Sequence, residues 1–138
     1  MSATEIDVAR DWLRRSDPDR EHADRWLRQA RFVLLPLGYK WAALKVPEVP
    51  GKAVLEVGVR GPVLHHPQVC FYFLVPKETG SSWDFPGTEC LGEGSWLTVP
   101  VPEVTEPPGI HWVQMPSGGL VDPDDLHAVL SAGATTWR

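Results

Sequence analysis

The run VCFYFLV at residues 69–75 is the strongest structural signal in the chain. It combines β-branched and aromatic side chains, and it is stopped by Pro76, which lacks the backbone donor that a strand needs for further pairing. A run that is apolar on both faces belongs in the interior of a sheet. The sequence therefore predicts a central strand here.

Other short apolar runs, each bounded by proline or glycine, predict further strands on both sides of this one. These strands are FVLLP at 32–36, KWAALKV at 40–46, SWLTVPV at 95–101 and IHWVQM at 110–115. The first two are expected to pair as a hairpin across the turn at Leu37–Tyr39. The segment KAVLEVGV at 52–59 fits either a strand or one short helix, so its type stays open. The predicted sheet is mixed or antiparallel.

Helices are predicted at the two ends of the chain. Apolar residues at helical spacing predict a helical hairpin over 1–31, whose second helix starts at Asp17 and Pro18. A C-terminal helix is expected over 122–133, from Asp122 to the closing Gly133. With a sheet core over 32–121, the 138 residues form one α+β domain.

The composition fits a folded protein and excludes several classes. Apolar residues make up 43% and charged residues 22%, which disfavours disorder, collagen-like repeats and coiled coils. Residues 1–77 carry twelve of the thirteen basic side chains and nine acidic ones, whereas residues 78–138 carry nine acidic side chains and one basic one. The two parts therefore have net charges of +3 and −8, and the acidic part repels phosphates. Nucleic-acid binding is not favoured.

The two cysteines, Cys70 and Cys90, are too few for a disulfide framework and are expected to pack as free thiols. The first residues show no apolar run of signal-peptide type, and no stretch approaches the roughly 18 apolar residues that span a bilayer. We therefore expect a cytoplasmic protein that does not contact a membrane.

Seven tryptophans are many for a chain of this length. Four of them lie at apolar helix or strand positions and are expected in the core, namely Trp12, Trp26, Trp96 and Trp112. Trp41 and Trp83 lie near lysines, so they are candidates for stacking on a planar ligand.

Three strings together resemble the N-terminal domain of bifunctional DNA primase/polymerases, and in particular its short stand-alone actinobacterial members. The strings are PVLHHPQVCFYFLVP at 62–76, PGTECLGEGSWLTVP at 86–100 and GIHWVQMPSGG at 109–119. The resemblance covers about residues 60–120 and implies an RRM-like sheet core, as in the archaeo-eukaryotic primase superfamily. It also implies phosphoryl transfer by two Mg²⁺ or Mn²⁺ ions held on carboxylates, with a histidine on a following strand.

This sequence departs from the family's site at most of its positions. Glu56 matches the first carboxylate of the family's pair, but Gly58 stands at the second. Cys70 occupies the position of the histidine, and Glu89 matches the third acid. Since one or two carboxylates do not hold two metal ions, the resemblance implies a catalytically degenerate member with no metal or other cofactor.

The favoured hypothesis is a non-catalytic binding module for a protein partner or a nucleotide-like ligand, with a site formed by Cys70, Tyr72, Trp83 and Glu89. The first alternative is residual metal-dependent nucleotidyltransferase activity through Glu56 and Glu89, which would need Mg²⁺ or Mn²⁺. The second alternative is a cysteine-dependent enzyme that pairs Cys70 with His111 or Cys90 with His66. A zinc site is not expected, because no pair of cysteines or histidines has the usual ligand spacing.

Overall fold

The computed structural model describes residues 3–133 of the chain. The ends of the predicted domain, residues 1–2 and 134–138, lie outside this range. The described helices are α1 (Ala3–Arg15), α2 (Arg20–Gln29), α3 (Glu48–Val57) and α4 (Pro123–Gly133), with a short 3₁₀ helix at Thr79–Ser81. The strands are β1 (Phe32–Pro36), β2 (Trp41–Pro47), β3 (Val63–His66), β4 (Cys70–Pro76), β5 (Glu89–Leu91), β6 (Trp96–Pro100) and β7 (His111–Gln114).

The strands form a five-stranded antiparallel sheet, in the order β5-β2-β4-β3-β7, and a separate two-stranded ribbon of β1 and β6. The run at 69–75 is the middle strand of the large sheet, as predicted. Strands β2 and β3 are joined through α3 and are separated in the sheet by β4, which is the split β-α-β arrangement of ferredoxin-like and RRM-like folds. The α+β fold class is therefore confirmed, with its N-terminal helical hairpin and its C-terminal helix.

Each face of the large sheet is covered by a different layer. One face packs against α1, α2 and the β1–β6 ribbon, and its core includes Trp12, Trp41, Leu74 and Trp112. The other face packs against α3 and α4. We call these the ribbon side and the α3/α4 side. On β2 the alternation places Trp41, Ala43 and Lys45 on the ribbon side.

The predicted hairpin between 32–36 and 40–46 is wrong. Gly38 makes a tight turn with a φ of +85°, but β1 then pairs with β6, and β2 pairs with β4 on one edge and β5 on the other. Since both edges of β2 are occupied within the large sheet, β1 has no free edge to join there.

Three further details differ from the sequence analysis or complete it. The open segment at 52–59 lies mostly in α3, which begins at Glu48. Helix α2 starts two residues after Pro18, because Asp19 rather than Asp17 is its N-cap and accepts from the His22 amide. Asp17 is buried and accepts from the Asp19 amide at 2.8 Å.

The tryptophan predictions are half right. Trp12 and Trp112 lie in the core, but Trp26 and Trp96 are exposed on the surface. Trp41 is no ligand platform, because it is buried and stacks on Trp12, with 5.4 Å between the ring centroids. Its Nε1 donates to the Ser16 hydroxyl at 2.8 Å.

Candidate functional site

A polar row crosses three neighbouring strands on the ribbon side of the sheet. Lys45 on β2 is the direct cross-strand partner of Glu89 on β5 and of Tyr72 on β4. Directly paired residues of antiparallel strands point to the same face, so these three side chains lie next to one another. Further along β2 on this side, Ala43 and Trp41 are buried in the core, whereas Lys45 and Tyr72 are half-buried.

Cys70 lies beside this row on β4, two residues before Tyr72 and on the same side of the sheet. The two side chains are therefore neighbours on this face, and each affects the pKa of the other. Burial raises the pKa of the Cys70 thiol, while Tyr72 and the charge of Lys45 act in the opposite direction. Burial and the neighbouring Cys70 thiol raise the pKa of Tyr72 to about 12. Both groups are therefore neutral at physiological pH and available as hydrogen-bond partners.

A cleft of about 250 Å³ opens at this end of the sheet. It is lined by Lys45, Pro47, Val69, Cys70, Gly87, Thr88 and Glu89. Within residues 3–133, neither Lys45 nor Glu89 forms a salt bridge. The cleft thus offers a cation, a carboxylate and a hydroxyl to a ligand.

Trp83 lies behind the cleft and does not line it. Its Nε1 donates to the Thr88 hydroxyl at 2.9 Å, and that hydroxyl donates to the Phe85 carbonyl at 2.7 Å. The indole ring packs against the core of the α3/α4 side and edge-on against His127. The structure therefore places Trp83 where it orients Thr88. Cys70 and Glu89 line the cleft, and Tyr72 lies next to it as the cross-strand partner of Lys45.

The two carboxylates of the first alternative are on opposite sides of the sheet. Glu89 faces the ribbon side through its pairing with Lys45, whereas Glu56 is exposed on α3, which covers the α3/α4 side. In the described part of the chain, no three residues of the types His, Cys, Asp and Glu are placed to hold a metal ion.

The cysteine-histidine pairs of the second alternative are also separated. Strand β3 lies between Cys70 on β4 and His111 on β7, and the cross-strand partner of Cys70 is instead His66. Cys90 packs against the core of the α3/α4 side, whereas the register of His66 with Cys70 directs it to the ribbon side. Burial raises the pKa of Cys90 as well.

Sequence reasoning missed Lys45, and it also missed a second polar cluster at the start of α3. Glu48 accepts from His65 Nε2 at 2.7 Å and from the Gln68 amide at 2.6 Å. The bond with His65 lowers the pKa of Glu48. The His65 ring stacks on Phe71 with 4.1 Å between centroids, and it meets the ring of His111 edge-on. No sequence spacing signals these contacts, since Glu48 and His65 are 17 residues apart.

No helix among residues 3–133 is both long and apolar enough to cross a membrane. Comparison of the chain with protein-family models, with curated proteins and with solved structures finds no match. The primase/polymerase resemblance therefore stays a prediction.

Proposed function

We propose that the protein is a non-catalytic binding module with a primase/polymerase-like core, and that it holds a compact nucleotide-like ligand in the cleft beside Lys45. The observation that carries this proposal is the row of Glu89, Lys45 and Tyr72 at the open end of the sheet. A lysine without a salt-bridge partner attracts an anionic group, and the neighbouring hydroxyl and carboxylate supply directional hydrogen bonds.

The size of the cleft limits the ligand. Its volume of about 250 Å³ lies just below the roughly 300–1,000 Å³ of typical small-molecule pockets. It accommodates one compact group, such as a nucleobase or a phosphate, and leaves the remainder of a nucleotide outside. Lys45 selects for an anionic group near that position.

Binding is favoured over phosphoryl transfer because of the residues at the family's metal positions. Gly58 and Cys70 replace two expected ligands, and Glu56 and Glu89 are on opposite sides of the sheet. Cysteine catalysis is likewise not favoured, since burial raises the pKa of both thiols and reduces the thiolate that would attack. We place the protein in the cytoplasm, where its two free thiols stay reduced.

Isothermal titration with nucleoside mono- and triphosphates, with and without Mg²⁺ or Mn²⁺, tests the proposal. We expect measurable heat, and we expect Lys45→Met to weaken binding about tenfold, or about 1.4 kcal/mol. The matched control is Lys52→Met, because Lys52 is exposed on α3 and does not line the cleft. Equal weakening by both variants would indicate nonspecific charge attraction, and no heat with any nucleotide would leave only a protein partner.

A primer-synthesis and primer-extension assay with Mn²⁺ tests the first alternative. We expect no product from the wild-type protein. Product that Glu89→Gln abolishes would establish residual nucleotidyltransferase activity and overturn the non-catalytic assignment.

A further inference from the structure

The outer face of the β1–β6 ribbon carries an unusual set of exposed apolar side chains. Phe32 and Leu34 on β1 are 45% and 42% exposed, and Trp96 on β6 is 57% exposed. Trp26 of α2 joins them through a ring contact with Phe32, with 5.7 Å between centroids. We call these four residues the aromatic patch. Clustered exposed apolar residues mark interaction sites more often than single ones do.

The ribbon geometry places the patch on one continuous surface. In the β1–β6 register, Leu34 pairs with Thr98 and Pro36 pairs with Trp96, so these side chains share the outer face. The alternate residues, among them Val33 and Leu35, are buried against the core. The ribbon therefore has one face that stabilises the fold and a second apolar face that the core does not use.

A depression beside the patch supplies an anchor point. It has a volume of about 280 Å³ and is bordered by Phe32, Pro100, Val104 and Ile110, with Arg31 at its edge. An apolar side chain of a partner fits such a depression, and buried anchors of this kind supply most of the binding energy at interfaces.

The charges around the patch identify the kind of partner. Arg25 and Arg31 adjoin Trp26 and Phe32 in the chain and are exposed, and neither forms a salt bridge within the described residues. Helix α2 has two acids. Asp24 is paired with Arg14 and Arg28, and Glu21 is exposed one turn before Arg25. Carboxylates complement two unpaired arginines, and the rigid guanidinium fork suits them.

We infer that the aromatic patch and its arginines bind an extended acidic peptide segment of a partner protein, with an apolar side chain seated beside Phe32. A peptide fits better than single-stranded nucleic acid. The acidic part of the chain, residues 78–138, has a net charge of −8. It repels a nucleic acid, which carries a charge at every phosphate, more than it repels a short peptide with a few carboxylates.

The probe is a labelled synthetic peptide in which glutamates flank a central pair of leucines, followed by fluorescence anisotropy. We expect binding that falls about tenfold or more with Phe32→Ser and with Arg31→Glu. The matched controls are Val57→Ser on α3, where Val57 is exposed by 69%, and Arg60→Glu, and neither is expected to change the affinity. Circular dichroism establishes that each variant is folded. If Phe32→Ser unfolds the protein, Arg31→Glu carries the test.

Three outcomes overturn the inference. The first is no binding of the glutamate peptide, and the second is equal binding of a peptide with lysines in place of the glutamates. The third is that an oligothymidylate binds through Phe32 and Arg31 while the peptide does not, which would assign the patch to nucleic acid. None of these outcomes bears on the cleft, since the patch and the cleft share no residue.

Discussion

Substitution of Gly51 by alanine in α3 is expected to destabilise the protein, although the same change stabilises most helices. Gly51 is buried where α3 crosses β4. A Cβ atom at this position would meet the Phe71 ring, at 3.0 Å from Cγ and closer still to Cδ2. Real Cβ atoms do not approach other heavy atoms so closely, so either the ring or the helix must move.

Two contributions to the stability of Gly51→Ala oppose each other: the helix propensity of alanine and the cost of overpacking against Phe71. The surroundings of Phe71 decide which is larger. Alanine within a helix is favoured over glycine by about 1 kcal/mol. Overpacking in a close-packed core costs about 1–3 kcal/mol. The Phe71 ring cannot turn away freely, because it stacks on the His65 ring and also contacts the ring of Phe73. We therefore take the upper part of this range, an overpacking cost of about 2–3 kcal/mol, and expect a net loss of about 1–2 kcal/mol in the free energy of unfolding.

Urea unfolding followed by tryptophan fluorescence measures this loss. The matched control is Gly92→Ala, since a methyl group at Gly92 would have no neighbouring atom within 4 Å and the residue has no positive φ. We expect a change below about 0.5 kcal/mol there. In a double-mutant cycle, Phe71→Leu is expected to reduce the cost of Gly51→Ala. A Gly51→Ala variant as stable as the wild type, or more so, would refute the close approach of α3 to β4.

Three further predictions concern a carboxylate, the thiols and two tryptophans. Because the pKa of Glu48 is lowered in the folded state, its contribution to stability is present above the usual glutamate pKa and is lost as the pH falls through the lowered value. Glu48→Gln should thus cost about 1 kcal/mol at pH 7 and much less near pH 3 in urea unfolding. Since burial raises the pKa of Cys70 and Cys90, iodoacetamide at pH 8 should alkylate the native protein at least about tenfold more slowly than the urea-unfolded protein. Thermal unfolding should show that Trp112→Phe costs about 2 kcal/mol, because the buried indole donates to a strand carbonyl, whereas Trp96→Phe changes stability by less than about 0.5 kcal/mol.

Elements with a strong local pattern could be predicted from the sequence. The strand at 69–75 and the last helix from Pro123 were found because periodicity, β-branching and the helix-start signal all agree there. The partner of β1 could not be found, because pairing with β6 joins residues about sixty or more positions apart and the short turn at Gly38 favours a local hairpin. The exposure of Trp26 and Trp96 was missed for a related reason, since both lie on regular elements whose outward faces are defined only by packing.

The cleft could be predicted only in part. The resemblance drew attention to Cys70, Tyr72 and Glu89. Of these, Cys70 and Glu89 line the cleft, and Tyr72 lies next to it across from Lys45. Lys45 was missed because a lysine in an apolar run is usually a solvent-facing residue, and its position between Glu89 and Tyr72 depends on the register of three strands. Trp83 was predicted to belong to the same site because lysines lie near it in the sequence. Its side chain instead packs against the core on the α3/α4 side of the sheet.

The distribution of buried and polar residues on β2 supports the proposed ligand site in the cleft. On the α3/α4 side, Ala42, Leu44 and Val46 are all completely buried, so this side of β2 is packed in the core from Ala42 to Val46. On the ribbon side, Trp41 and Ala43 are buried by the layer packed on the sheet, whereas Lys45 is only half-buried. The half-buried Lys45 forms no salt bridge within the described chain, and it contributes less apolar contact here than an aliphatic residue would. Lys45→Leu should accordingly raise the stability of the protein while it weakens binding of the proposed ligand about tenfold, as Lys45→Met does, which is the trade-off expected of a residue kept for binding.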